Sequence, residues 1–219
     1  TTTDKKLATL YIAEARALRG MFYFELVRRF GNVVLMTSTQ MSNQNPATYV
    51  QSAPEKVYEY IEDDLLYACD ILPYATDDQY RESNDYRFSK GAALGLLTKV
   101  YATWAGYPVK DESKWEAAAK TARILVESGK HGLLKDYEQL WKNTCNGTWD
   151  PTESLIEISF YSPTVSGNSD PVGRIGKWNG VKTTAIAGVR GSCAANVKVV
   201  HTFVLDWRER SEEHTSELQ

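Results

Sequence analysis

Between Leu7 and Phe30 apolar residues recur every three or four positions, and no other feature constrains the chain as much. Leu18, Phe22 and Leu26 repeat at four-residue spacing with Met21 beside them, and Tyr23, Val27 and Phe30 form a second stripe. This period predicts a helix over about 7–30 with a wide apolar face. Glu14, Arg19, Glu25 and Arg28 are left to water or to partners. Gly31-Asn32 should end the helix, because glycine readily takes a left-handed C-terminal conformation. Val33 to Met36 then reads as a short extended run.

Three more helices follow on the same reasoning. Ser52-Ala53-Pro54-Glu55 has the form of a capping box, in which a hydroxyl and a carboxylate satisfy each other's backbone amides. It opens a helix over 53–72 whose inner face is Val57, Ile61, Leu65, Ala68 or Cys69, and Leu72; Pro73 stops it. Ser89 can cap a helix over 89–105 with Ala93, Leu96, Leu97, Val100, Tyr101 and Trp104 inside. Its Gly91, Ala92, Ala93 and Gly95 permit close helix approach. Ser113-Lys114-Trp115-Glu116 is a second capping box, opening a helix over 113–128. There Trp115, Ala118, Ala119, Ala122 and Leu125 form the apolar face and Gly129 the C-cap. Four helices in two antiparallel pairs resemble tetratricopeptide units, so the expected fold is mainly α, a solenoid-like stack of helix pairs.

After residue 130 the texture changes. Leu140-Trp141 marks a short helix or turn, and Glu153 to Phe160 alternates like one strand. Residues 162–195 are rich in Gly, Ser, Asn and Pro and read as a long irregular segment. The helical scaffold is therefore placed at 7–130 and a loop and strand region at 131–209, together one domain over 1–209. The final ten residues, Arg210 to Gln219, have no amphipathic pattern. They resemble the in-frame translation of a sequencing-library adapter and are set aside from the fold.

Composition excludes several classes. With 25 Lys and Arg against 28 Asp and Glu, the net charge is −3, without the basic surplus of a nucleic-acid binder. No run of 18 apolar residues is present to form a transmembrane helix. Cys69, Cys145 and Cys193 have neither the even count of a disulfide framework nor the spacing of a zinc site. The chain starts at Thr1 without a Met or a signal segment, which suggests a mature form or a fragment.

Catalytic motifs are missing too. There is no Walker loop, no GxGxxG after a strand and no GxSxG elbow. Gly173 to Lys177 has the wrong spacing for a phosphate loop. His131 and His201 stand alone; His131 reads as a helix-end residue. Glu62-Asp63-Asp64 points three ways from a helix and Asp77-Asp78 sits in a loop, so both read as solvated charge rather than a glycosidase pair. Cys69 reads as a small core residue. No cofactor or metal is expected.

Aromatic residues remain. Trp104 and Trp115 are expected in the core. Trp149, in Asn146-Gly147-Thr148-Trp149-Asp150, and Trp178, in Gly176-Lys177-Trp178-Asn179-Gly180, lie in polar, glycine-bearing loops. Such a ring can stack on sugar CH groups while neighbouring amides and carboxylates bind hydroxyls. It can equally pin its loop to the body.

The segment from Ala13-Glu14-Ala15-Arg16-Ala17-Leu18 through Phe22-Tyr23-Phe24-Glu25-Leu26-Val27 to Phe30-Gly31-Asn32-Val33 resembles the signature helix of the SusD/RagB family. Asn32 stands for the usual Asp and Val34 for the usual Pro. Val57-Tyr58 with Asp63-Asp64-Leu65 and Leu72-Pro73, Lys90 to Pro108, Trp115 to Ala122, and Glu153 to Phe160 resemble four further family blocks in order. The resemblance covers about 7–160 and implies a tetratricopeptide-like scaffold of four helix pairs with no enzymatic activity. It also implies binding of a glycan, or in some members a peptide, as the surface lid of a SusC-like TonB-dependent transporter. Such proteins are outer-membrane lipoproteins about twice this length, so the lipid anchor and much of the glycan site are expected outside 1–219. The alternatives are a tetratricopeptide-type protein-interaction scaffold and a glycan-degrading enzyme.

Overall fold

The computed structural model describes residues 1–38, 43, 45–80, 86–158, 182, 184 and 186. The chain divides into two compact units, Thr1–Ser159 and Phe160–Gln219, and almost all described residues belong to the first. Trp178, the segment 162–195 apart from three residues, and the tail 210–219 lie outside the described residues.

The first unit is helical: α1 (Thr2–Phe30), α2 (Pro54–Ile71), α3 (Lys90–Ala105), α4 (Lys114–Glu127) and α5 (Tyr137–Asn146). Consecutive helices α1 to α4 pack on one another in chain order. Tyr23 of α1 meets Tyr60 edge-on and Phe24 meets Tyr58, while Gly20 lies against Leu65. Contacts that climb α1 while descending α2 make the pair antiparallel. Gly95 near Leu125, and Trp104 under Lys114, give α3 and α4 the same relation. This is the stacked helix-pair architecture expected from the apolar stripes.

The core confirms two of the four stripes. Val57, Ile61, Leu65, Ala68, Cys69 and Leu72 are all buried, as are Ala93, Leu97, Val100, Tyr101 and Trp104, with Leu96 half-buried. In α1 the buried side is Leu10, Ala13, Ala17, Gly20, Tyr23, Phe24 and Val27. Leu18, Phe22, Leu26 and Phe30 are exposed instead. The larger residues lost to the smaller ones because Ala13, Ala17 and Gly20 let the backbones of α1 and α2 come close. A Cβ on Gly20 would already stand 3.3 Å from Leu65 Cγ. In α4 the inner residues are Ala118 and Thr121, with Ala117 and Leu125 packed against the core. Trp115 is 52% exposed and Ala119 is exposed, correcting the expected core placement of that ring. Lys114 takes the inward position, its ammonium 3.8 Å from the centre of the Trp104 ring and 3.1 Å from Glu62.

The helix ends also differ from the two capping boxes. Ser52 pairs with Val33 in an isolated antiparallel bridge, its N–H donating to Val33 O at 2.8 Å. That leaves Ala53 as N-cap and Pro54 at the first helical position, where a missing N–H costs nothing. Ser113 has helical backbone angles, and its N–H and hydroxyl both donate to Asp111. Ser89 does cap α3, accepting from Ala92 N–H at 3.3 Å. The first helix starts before Leu7 because the Thr1 hydroxyl accepts the Asp4 N–H. Gly31 (φ 68°) takes the left-handed region directly after α1, whereas α4 is capped by Ser128 rather than Gly129, which takes that region (φ 65°) one residue later.

The chain after α4 folds back over α3. His131 lies against Gly91 and Leu155 against Gly95, each where a Cβ would collide. The glycines of α3 therefore seat this later segment rather than only a neighbouring helix. Gly132 N–H donates to Thr152 O, and Leu134 N–H to Glu153 Oε2, tying the segment's ends together. Residues 153–158 form turn and irregular chain, not the expected strand. Two adjacent residues of it pack without a ladder: Leu155 covers Gly95 and Ile156 joins the core margin, while Ile158 is exposed. Among the described residues, no helix is long and apolar enough to cross a membrane.

Candidate functional site

Trp149 follows α5 closely. Asp136 opens that helix by accepting Glu138 N–H at 3.0 Å, and Gly147 ends it in the left-handed conformation. Thr148 N–H returns to Asn143 O at 2.9 Å, and Asp150 accepts the Thr152 N–H at 2.8 Å. These bonds fix the backbone on both sides of Trp149. The indole is half-buried, with its ring centre 6.1 Å from that of Tyr86 and its Nε1 enclosed. The Tyr86 hydroxyl donates to Gly147 O at 3.1 Å, so the two aromatic residues clasp the turn between them.

Tyr86 has φ 59°, a left-handed conformation uncommon for a non-glycine residue and often met at functional sites. Next to it Arg87 forms a bidentate pair with Glu14, Nε to Oε1 at 3.0 Å and Nη2 to Oε2 at 2.5 Å. Tyr86, Arg87 and Glu14 line an open cleft of about 400 Å³ together with Met21, Phe88 and Ile156 to Ile158. A phenol, a guanidinium and the carboxylates of Glu14 and Glu157 thus face one concave surface with apolar walls. This combination suits a neutral polyhydroxy ligand: apolar walls take CH groups, and the polar atoms accept or donate to hydroxyls. Sequence reasoning missed Tyr86 and Arg87; the signal for them is an aromatic residue among polar ones after Asn84-Asp85, the pattern that singled out Trp149.

The acidic groups flagged in sequence are engaged elsewhere. Asp64 is 1% exposed and accepts from Arg16 and Arg19, so the reading of Glu62-Asp63-Asp64 as solvated charge is corrected. The paired cations offset the cost of burying its charge. Glu62 accepts the Tyr101 hydroxyl at 2.7 Å and Lys114 at 3.1 Å. Burial and this bonded carboxylate both push the Tyr101 phenol up. Only Asp63 of the three faces water. Asp77 pairs with Lys130 at 2.9 Å. Burial pushes the Cys69 thiol up to about 12, as fits a core residue. His131 stands 5.9 Å from the Tyr74 ring, beyond the end of α4, with both nitrogens buried and unbonded. Among the described residues no cluster of His, Cys, Asp and Glu could hold a metal ion.

The stack of antiparallel helix pairs is a tetratricopeptide-like scaffold. Residues 2–102 match the SusD-like family described as "Starch-binding associating with outer membrane". A SusD-like protein of Bacteroides ovatus is 29% identical over an alignment covering 78% of this chain and 32% of its own length. A laminarin-binding SusD-like protein of known structure is 30% identical with a TM-score of 0.53, covering 69% of this chain and 31% of that one. A crystal structure with xylogluco-oligosaccharide is 29% identical with a TM-score of 0.66, covering 86% and 36%. The chain belongs to the SusD-like (SusD/RagB) family. It spans about a third of the length of the Bacteroides ovatus relative.

Proposed function

We propose that the complete polypeptide binds oligosaccharides without transforming them, as the surface lid of a SusC-like TonB-dependent uptake system in the outer membrane. A lipid anchor outside residues 1–219 would hold it there. The observation that carries this reading is the likeness, over 86% of the chain, to a structure with xylogluco-oligosaccharide. The Tyr86–Trp149 clasp beside a mixed polar and apolar cleft supports it. So does the engagement of Asp64, Glu62 and Glu14 with cations, which leaves none of them poised as a glycosidase acid. Within this chain, Trp149 and Trp178 are the rings proposed to touch the glycan. Stacking on one ring and a few hydroxyl hydrogen bonds each contribute on the order of 1 kcal/mol net. A handful of such contacts gives micromolar to millimolar dissociation constants.

Calorimetric titration of the complete polypeptide with laminarin and xyloglucan oligosaccharides tests this. One of them should bind without being cleaved. Trp149→Ala and Trp178→Ala should each weaken binding. Variants that unfold several degrees earlier yet bind normally would make these rings structural pins. Cleavage of the oligosaccharide would replace the lid reading with an enzyme.

A further inference from the structure

A second cleft, of about 190 Å³, opens where the ends of α1 and α3 meet the start of α2. Arg28, Tyr58, Thr103, Tyr107, Pro108 and Val109 line it. The Tyr86 cleft takes Glu14 from the same first helix. Arg28 lies 14 residues further along α1, and at about 1.5 Å per residue that puts the two clefts roughly 20 Å apart.

Tyr58 is the polar centre of this cleft. Its ring is 3% exposed, stacked on Trp104 with 5.3 Å between ring centres and met at an angle by Phe24. Packing therefore fixes the ring, and its hydroxyl end is what reaches the opening. That hydroxyl has no hydrogen-bond partner among the described residues and is not sealed from the cleft. A phenol held this deep presents a donor and an acceptor that no protein group uses. Burial pushes its pKa up against the opposing charge of Arg28, so it keeps its proton at neutral pH.

Arg28 pairs with Glu25 and covers the Phe24 ring at 4.6 Å. A guanidinium carries five N–H donors, so this pairing leaves some for the cleft. With Glu25 already against it, a neutral hydroxyl is a better guest than a second carboxylate. The remaining wall is apolar: Tyr107 stands 82% exposed beside Pro108 and Val109. Lys110 N–H donates to Gly106 O at 2.8 Å and Asp111 N–H to Trp104 O at 3.2 Å, which ties this wall to the end of α3.

We propose that this cleft is a second saccharide site, holding one neutral hexose unit of a glycan. Tyr107, Pro108 and Val109 take the CH face of the sugar, while the Tyr58 hydroxyl and the Arg28 guanidinium bond its hydroxyl groups. The volume is below the roughly 300–1,000 Å³ of sites for larger ligands, so a single ring fills it. Its ligand class rests on the functional reading above, but none of its residues does.

Photoaffinity labelling of the complete polypeptide tests the second site, with diazirine-bearing glucoside, galactoside and mannoside as probes. At least one probe should label tryptic peptide 100–110, which carries Tyr107, and the matching methyl glycoside should displace it. Tyr58→Phe removes one hydroxyl and keeps the packed ring. Labelling of 100–110 should then fall about fivefold, the effect of one net hydrogen bond. Labelling of peptide 143–174, which carries Trp149, should not change with that substitution. Labelling of 143–174 alone overturns the second site and leaves the functional reading standing. Labelling of 100–110 alone supports the second site and counts against the Trp149 cleft, and labelling of neither counts against both. Undiminished labelling of 100–110 in Tyr58→Phe overturns the proposal. So does displacement by N-acetylglycine and not by the methyl glycoside, which assigns the cleft to a carboxylate.

Discussion

The Arg19 guanidinium grips both oxygens of the Asp64 carboxylate, at 2.7 and 2.8 Å, in the seam between α1 and α2. Arg16 adds a third bond to the same carboxylate at 2.7 Å. Both cations also lie over aromatic rings, Arg16 4.2 Å from the Tyr67 centroid and Arg19 4.7 Å from Tyr60. The arrangement fixes the register of the two helices, because one acidic side chain meets two cations one turn apart. Bidentate geometry adds directionality that a lysine would not supply.

Replacing Asp64 by Ala leaves both cations facing an apolar seam. Breaking a buried pair in this way costs about 3–5 kcal/mol. The half-exposed arginines can turn toward water, so the lower part of that range is expected. Urea unfolding monitored by circular dichroism should show the loss, with a smaller loss for Arg16→Ala, since Arg19 keeps its two bonds. An Asp64→Ala variant as stable as the parent would refute the structural role of the pair.

Gly91→Ala should force the His131 ring off α3, because a Cβ there overlaps the ring. Overpacking of this kind costs about 1–3 kcal/mol. Adding His131→Ala should recover most of the loss, giving a favourable coupling in a double-mutant cycle. Additive losses from the two substitutions would mean that the ring does not rest on Gly91.

Alkaline pH should destabilise the fold. The Cys69 thiol sits at about 12 when folded against 9.0 as its ordinary value. The unfolded chain therefore loses this proton first, and the unfolded state gains at high pH. Stability from this group is complete below pH 9 and falls by about 1.4 kcal/mol per pH unit from there toward pH 12. Tyr58 and Tyr101, also raised by burial, act with the same sign. Unfolding titrations between pH 7 and 11 should show Cys69→Ala losing less stability with pH than the parent. Identical slopes would contradict the burial of the thiol.

Lys114→Ala removes the ammonium from the Trp104 ring and from Glu62 at once. A partly desolvated cation–π contact and an ion pair together make a loss of about 1–2 kcal/mol reasonable. Lys114→Met keeps the apolar stem and should recover part of it. Thermal unfolding separates the two variants; equal midpoints for both would show that the charge, and not the packing of the stem, is what matters.

Four of the five helices and two of the four inner faces followed from spacing alone. Val57 to Leu72 on α2 and Ala93 to Trp104 on α3 each carry one apolar side, so period 3.6 leaves a single way to bury them. Capping was less legible, since Ser52 and Ser113 had the right neighbours but a bridge to Val33 and a bond to Asp111 claimed them first. The Trp149 turn could be located in sequence, whereas its Tyr86 partner, 63 positions earlier, is a tertiary pairing that no local pattern encodes.

Local periodicity and glycine placement by themselves determined that this chain makes stacked helix pairs. These are short-range properties, set by backbone geometry and by which side chains share a turn. Tertiary structure alone decided which side of α1 turns inward, because both sides are apolar. The choice fell to the small residues Ala13, Ala17 and Gly20, which allow close approach to Leu65, over the bulk of Leu18, Phe22 and Leu26. It also decided that Asp64 would be buried, since a carboxylate enters an interior only where two arginines from another helix already wait for it.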